Sequence, residues 1–217
     1  MLHIDTFGAV PQTDIPAPDA ATPARKRPKP GERRVQILQV LAQMLEGPDA
    51  ERVTTAALAA RLKVSEAALY RHFAGKAQMF EALIDFIENS VLGCIDQIAE
   101  SEPAGSACAA HIVTMVLQFG EKNPGMARMM VGDALVFEPQ RLQHRMNQLF
   151  DKIEAALLQS LRDAPVEGAS SLTPDASAQA TASVLTAFIT GRLQRFARAG
   201  TRHQPCELLD VCLARML

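Results

Sequence analysis

The chain has 217 residues, enough for one large domain or for a small domain joined to a larger one. Hydrophobic residues make up 48% of it and charged residues 21%, which argues against wholesale disorder and against a fibrous repeat. No apolar run approaches the ~20 residues of a membrane helix, and residues 1–5 lack the features of a secretory signal. We therefore expect a cytoplasmic protein with no membrane segment.

The net charge of −2 hides an uneven distribution along the chain. Residues 1–24 hold three Asp and no Lys or Arg, and residues 81–217 hold eleven Lys and Arg against sixteen Asp and Glu. Residues 25–80 hold eleven Lys and Arg against only five Asp and Glu. This asymmetry favours a segment that faces nucleic acid, joined to an acidic body, although a solvated basic tail would account for part of it.

Residues 1–30 are predicted to be a disordered arm. Six of the thirteen prolines lie in residues 11–30, where neither a helical nor a strand period is visible. The arm ends in four basic residues, Arg25, Lys26, Arg27 and Lys29. They either add electrostatic affinity for nucleic acid or form a plain solvated tail.

Beyond Gly31 the apolar residues recur at helical spacing. The first helix ends before Gly47-Pro48, a second starts at a Thr54 N-cap, and a third is predicted over residues 66–73 with Ser65 as its cap. Strand signals are absent, so we predict an all-α protein with a three-helix domain over residues 31–75 and a larger helical domain over residues 76–217. The further predicted helices span residues 76–101, 106–120, 124–135, 138–163, 174–199 and 206–216.

The two short helices and the preceding amphipathic helix predict a helix-turn-helix whose second short helix enters the major groove of DNA. Ala67 and Ala68 would let its backbone approach base edges, and Lys76 opens a helix whose free N–H groups favour an anion. Arg33 and Arg34 would reach phosphate or merely be solvated, and Tyr70 and His72 have alternatives as ordinary surface residues. The candidate DNA-binding residues are Arg33, Arg34, Thr54, Thr55, Ser65, Glu66, Ala67, Ala68, Tyr70, His72 and Lys76.

Residues 53–76 resemble the DNA-binding domain of TetR-type regulators. The resemblance is carried most specifically by Leu69-Tyr70-Arg71-His72-Phe73 followed by Lys76. It implies a dimeric DNA-binding protein. A C2 homodimer formed through helices 138–163 and 174–199 would place two recognition helices in successive major grooves.

Three stretches of the body, residues 79–90, 119–128 and 134–150, resemble the SlmA family of bacterial nucleoid occlusion factors. The likeness covers about residues 31–163, and a weaker similarity is present in residues 191–198. It implies a homodimer that binds palindromic chromosomal sites and, while on DNA, engages the C-terminal tail of the division protein FtsZ to disrupt its polymers over the nucleoid. No cofactor, metal or catalytic chemistry is implied.

A peptide tail needs a groove with apolar anchors and a few polar groups. Phe86 has an alternative as a core residue and Asn123 as a turn residue. The family carries a basic residue where Cys94 stands, so a contact to an acidic tail is either missing or supplied from elsewhere. The candidate FtsZ-binding residues are Phe86, Ile87, Asn89, Cys94, Leu117, Glu121 and Asn123.

Two other classes of function have to be compared with this one. A ligand-responsive TetR-type repressor would line a pocket with Met115, Phe119, Met129, Met130 and Phe137, but we favour the interpretation that these five form the core. An enzyme is not supported, because the sequence has no Gly-rich phosphate loop, no nucleophile motif and no metal-ligand cluster. The cysteines lack disulfide-framework or zinc spacing and are predicted to be small buried apolar residues, at Cys94, Cys108, Cys206 and Cys212.

Overall fold

The computed structural model describes residues 31–47, 52–162, 173–199 and 202–217, and the predictions for the arm, residues 1–30, lie outside them. The described residues contain helices and turns but no strand, so the all-α prediction is confirmed. The helices are α1 (Glu32–Leu45), α2 (Thr55–Leu62), α3 (Glu66–Tyr70), α4 (Lys76–Ser101), α5 (Ser106–Lys122), α6 (Pro124–Met130), α7 (Gln140–Arg162), α8 (Pro174–Ala199) and α9 (Leu209–Met216).

Helices α1, α2 and α3 share a small apolar core, to which each helix contributes a buried leucine, as at Leu41, Leu58 and Leu69. The predicted N-cap of α2 is confirmed, because the Thr54 hydroxyl accepts a hydrogen bond from the Ala57 N–H at 3.1 Å. Lys63 ends α2 in the left-handed conformation, with φ 55°, and so turns the chain towards α3.

The prediction that the third helix continues to residue 73 is wrong, because α3 ends at Tyr70. Arg71 and His72 form a turn, and the Phe73 N–H still donates to the Leu69 carbonyl at 3.1 Å. This turn carries the Phe73 ring into the core, where it is fully buried. Burial of an aromatic ring is worth more than one further helical hydrogen bond, which explains the early end.

Helix α4 begins and ends where the sequence predicts and joins the small domain to the body. It packs against α7 through apolar residues such as Leu83 and Leu142 and through ion pairs at the rim. Arg141 contacts Glu81 at 2.8 Å, and Arg145 contacts Asp85 at 2.8 Å and Glu88 at 2.5 Å. These pairs fix the two helices in register.

Helix α6 fixes the small domain on the body. A Cβ atom on Gly125 would lie 2.2 Å from the Ala42 carbonyl oxygen, so only glycine allows this approach of α6 to α1. The Arg128 guanidinium donates to the Gly47 carbonyl just beyond α1. The predicted single helix over residues 124–135 is wrong, because Gly132, with φ 85°, breaks it before a short 3-10 turn at Asp133–Leu135.

The methionine cluster, which comprises Met115, Phe119, Met129, Met130 and Phe137, forms part of the core at four of its five residues. Met115, Phe119, Met129 and Met130 are buried. Phe137 is the exception, because its side chain is 68% exposed and lies outside the core. Sequence spacing placed it with the others, whereas the 3-10 turn that precedes it points it outwards.

Helices α7 and α8 form an antiparallel pair in the body and begin and end within two residues of their predicted bounds. The last helix starts at Leu209, three residues later than predicted, and Leu208 just before it adopts the left-handed conformation, with φ 53°, which is not helical. The four cysteines are free thiols, and only Cys108 is fully buried as predicted. Of the helices in the described ranges, none combines the length and the apolar character that crossing a membrane requires.

Candidate nucleic-acid interface and partner groove

The front of α3 presents small side chains. Ala67 is exposed and Ala68 is half-buried, so no bulky side chain stands between the helix backbone and an approaching surface. Ser65 occupies the N-cap position, as predicted, but its hydroxyl makes no capping hydrogen bond and is exposed. The hydroxyl is therefore available to an external acceptor such as a phosphate oxygen.

Three of the candidate residues form one side-chain network between α2 and α3. The Thr55 hydroxyl donates to the Glu66 carboxylate at 2.7 Å and lies 3.5 Å from the Tyr70 hydroxyl. Tyr70 is 49% exposed. The network holds the tyrosine at the junction of the two helices with its hydroxyl accessible.

Arg34 is tied into the domain instead of being merely solvated. Its guanidinium donates to the His72 carbonyl at 2.8 Å and stacks over the Phe73 ring, 4.1 Å from the centroid. It thereby braces α1 against the turn between α3 and α4. Arg33 instead donates to Gln36 at 2.7 Å on its own helix.

Lys76 does not stand alone at the start of α4. Its ammonium lies 2.5 Å from the Glu138 carboxylate and 5.4 Å from the centre of the Phe80 ring. The glutamate comes from the loop before α7, so the pair joins the small domain to the body. Sequence reasoning did not select Glu138, because the 61 residues between the partners hide their proximity.

Two exposed cations near α3 were also not selected, Lys63 in the turn before the helix and Arg71 directly after it. The only signal for them was the excess of basic residues in residues 25–80. Together with the residues above they give this face of the domain the polar and cationic groups that a phosphate backbone requires.

The candidates for the partner groove divide into two groups. Ile87 and Leu117 are fully buried in the core, so the expectation that they form groove walls is corrected: their side chains are unavailable to a partner here. Asn123 is only 7% exposed and its amide donates to the Phe119 carbonyl at 2.9 Å, which is a helix-end role. Apolar spacing alone could not distinguish these inward residues from a groove wall.

The second group is accessible. Phe86 and Cys94 are half-buried and Asn89 is exposed, all on α4. The α4 helix packs against α5, whose exposed Gln118 and Lys122 were not selected from the sequence. An accessible aromatic ring together with exposed polar and cationic side chains on the adjacent helix would suit an extended peptide that carries acidic residues.

Glu121 faces the link between α8 and α9. One of its carboxylate oxygens accepts the Cys206 N–H at 3.1 Å. Burial and the hydrogen bond to Glu121 raise the pKa of the Cys206 thiol to about 12. The structure therefore assigns Glu121 a partner within the chain.

The raised pKa predicts an unreactive thiol. At pH 8 the Cys206 side chain should be almost entirely in the thiol form, whereas an ordinary cysteine, with a pKa of about 8.5, is partly the nucleophilic thiolate. Mass spectrometry after brief iodoacetamide treatment should find Cys206 unmodified at pH 8, with labelling that increases as the pH rises towards 12. Complete labelling at pH 8 in the folded protein would contradict the assignment.

The residues that the structure describes contain no group of His, Cys, Asp and Glu side chains able to hold a metal ion. A cavity of about 290 Å³ lies between α4, α5 and α7, away from the methionine cluster. Its walls include Ile95, Ile112 and Ala156. The site chosen from the sequence for a ligand pocket is therefore filled by its own side chains.

Comparison with family models matches both parts of the chain. Residues 37–83 match the model of bacterial regulatory proteins of the tetR family. Residues 107–215 match the SlmA-like model of the tetracyclin repressor-like C-terminal domain. The first match extends into α4, and the second begins at the start of α5.

Curated relatives are similar over most of the chain. The nucleoid occlusion factor SlmA of Marinomonas sp. is 46% identical over 180 residues, 83% of this chain and 90% of that protein. The protein of the same name from Salmonella paratyphi B is 46% identical over 188 residues, 86% of this chain and 94% of that protein.

Solved structures share the fold at low identity. The fatty acid degradation regulator FadR from Bacillus halodurans gives a TM-score of 0.62 at 13% identity, covering 87% of this chain and 96% of its own. The ketosteroid regulator KstR2 of Mycobacterium tuberculosis gives 0.62 at 16% identity, covering 86% and 93%. At such identities the likeness establishes the fold alone.

Proposed function

This chain belongs to the SlmA family of TetR-type DNA-binding regulators, and from that premise we propose that it binds palindromic chromosomal sites as a homodimer and there antagonises FtsZ polymers. It is a DNA-binding regulator and not an enzyme. Acting on the nucleoid, it would block assembly of the division septum over unsegregated DNA.

The observation that carries the proposal is the 46% identity to proteins named nucleoid occlusion factor SlmA, which extends over both the small domain and the body. A shared DNA-binding domain alone would support only a TetR-type regulator. The body is the part in which such regulators differ from one another, so identity that continues through it supports the more specific assignment.

The face of α8 supports the homodimer. Small or apolar residues recur on it at helical spacing and are exposed in the single chain, with Val184 53% exposed. An exposed stripe of this kind on a helix is typical of a surface covered by another helix. The residues of this stripe are Ala176, Ala180, Ser183, Val184, Ala187 and Gly191.

The partner groove is proposed along α4, with Phe86 as the apolar anchor and Asn89 as a polar group beside it. Cys94 supplies no charge to an acidic tail, and exposed Lys122 at the end of α5 is our candidate for that role. Ligand-dependent repression, the alternative function, has no comparable support, because four of the five residues proposed for its pocket are packed in the core.

Sedimentation of FtsZ polymers tests the proposal directly. The protein with a duplex that carries a site selected from a random pool should reduce the amount of pelleted FtsZ, and the protein without DNA should do so less. A thermal-shift screen against a metabolite panel is the companion experiment. Unchanged FtsZ pellets together with stabilisation by a metabolite would favour the ligand-responsive repressor.

Tyr70→Phe tests the assignment of the interface. The change removes only the exposed hydroxyl, so affinity should fall by about 0.5–1.5 kcal/mol, or roughly 2–10-fold, for every duplex sequence. The salt dependence should stay the same because the lost group is neutral. A loss restricted to particular base sequences in a fluorescence-anisotropy titration would show that Tyr70 contacts bases instead of phosphate.

A further inference from the structure

The ion pair between Lys76 and Glu138 lies at the junction of the small domain and the body. The Glu138 side chain is only 6% exposed, whereas that of Lys76 is 28% exposed, and the charged atoms are 2.5 Å apart. A carboxylate so deeply buried requires a partner, because an unpaired buried charge is costly. Lys76 thus has an acidic partner within its own chain before any DNA arrives.

In this pair the charges are the reverse of those in the ion pairs that α4 makes with α7. Farther from the small domain, α4 supplies the acids Glu81, Asp85 and Glu88, and α7 supplies the arginines Arg141 and Arg145. At the end next to the helix-turn-helix, α4 supplies the cation instead. The acidic Glu138 therefore lies beside Lys76, the lysine that we assign to a DNA phosphate.

We propose that Glu138 competes with the DNA backbone for Lys76 and so limits the non-specific DNA affinity of the protein. The proposal rests on the proposed contact of Lys76 with phosphate. A lysine neutralised by its own chain attracts a phosphate weakly and releases few counterions when DNA binds. Glu138 also repels a phosphate that approaches the start of α4.

Such competition lowers the affinity for every duplex sequence, because Lys76 would contact phosphate on specific and non-specific DNA alike. Non-specific binding depends almost entirely on phosphate contacts, whereas base contacts at a specific site add affinity that Glu138 does not affect. Part of the charge that would hold the protein on any sequence is therefore cancelled within the chain. The negative charge of Glu138 thus lowers sequence-independent binding at the edge of the interface.

The test is Glu138→Gln, titrated onto a random-sequence duplex between roughly 50 and 200 mM salt. Glutamine keeps the shape and can still accept a hydrogen bond from Lys76, but it leaves the ammonium charge uncompensated. We expect tighter binding at the lower salt concentration and a slope of log affinity against log salt that is steeper by up to about 0.9 per protomer. The gain should shrink roughly threefold per protomer between the two salt concentrations.

Two further variants make the result specific. Glu81→Gln also removes one negative charge from α4, but Glu81 pairs with Arg141 and not with Lys76. Its slope of log affinity against log salt should therefore match that of the parent. Lys76→Gln combined with Glu138→Gln should lose the gain, because no freed ammonium remains. An equal gain in Glu81→Gln, or a gain that survives in the double variant, would overturn the proposal.

Binding by Glu138→Gln that is unchanged or weaker, with the parent slope, would also overturn it. Circular dichroism must first show that this variant is folded. If it is not folded, Glu138→Asp is the variant to test. Its shorter side chain moves the negative charge away from Lys76, so it should give a smaller gain in affinity in the same direction. A parent protein that binds no duplex at all would instead contradict the DNA-binding function itself.

Discussion

Phe86→Ala should abolish the disruption of FtsZ polymers while DNA affinity stays at the parental value. The ring is half-buried on α4, away from the helix-turn-helix, and it is our proposed apolar anchor for the tail. Loss of an aromatic anchor at the centre of an interface typically costs at least about 2 kcal/mol, or roughly 30-fold in affinity. Tail-peptide binding by anisotropy and FtsZ sedimentation with DNA would measure the effect.

The interpretation requires a folded variant. Truncation of a fully buried Phe costs about 3–5 kcal/mol, and a half-buried ring should cost less. Phe137→Ala is the matched control, because it removes the same ring from an exposed position elsewhere on the body and should leave tail binding unchanged. A folded Phe86→Ala protein that disassembles FtsZ at the parental concentration would remove Phe86 from the groove.

Val184→Asp should convert the proposed dimer into monomers. Its side chain is exposed in the single chain, so the monomer should tolerate the carboxylate, but a helix–helix interface would bury it without a partner. A buried unpaired charge costs several kcal/mol, and about 3 kcal/mol already weakens association roughly 100-fold. Light scattering at micromolar concentration should therefore show the monomer mass.

The affinity of Val184→Asp for DNA should fall as well, because the variant no longer forms the dimer. Two recognition helices can occupy successive major grooves, ~34 Å apart, only when a dimer holds them at that spacing. Val136→Asp introduces the same carboxylate at a valine that is 66% exposed but lies off α8, and it should remain dimeric. A Val184→Asp protein with the mass of a dimer would exclude the α8 stripe as the interface.

One short segment connects the proposed groove with the DNA-binding domain. Asn123 ends α5, and Gly125, two residues later, touches the backbone of α1 at Ala42. Arg128 of the same helix contacts the carbonyl of Gly47. Movement of α6 would therefore be transmitted to α1, which belongs to the small domain.

The sequence by itself determined the helical architecture, because local physics dominates there. The bounds of α4 and α8 were predicted to the residue from apolar spacing and from the breaks at Gly75 and Pro174. The helix-turn-helix and the TetR-type likeness followed from a continuous motif in residues 53–76, and the SlmA likeness followed from residues 79–90, 119–128 and 134–150. Each of these features depends on neighbours within a few residues.

Only the tertiary structure decided which side chains face outwards and which distant residues meet. Periodicity could not separate Phe86, which remains accessible, from Ile87 and Leu117, because burial depends on the packing of other helices. Nor could it pair Lys76 with Glu138, since the two meet through the packing of α4 against the start of α7. Local sequence encodes helices through hydrogen bonds a few residues long, whereas their mutual packing sets charge partners and exposure.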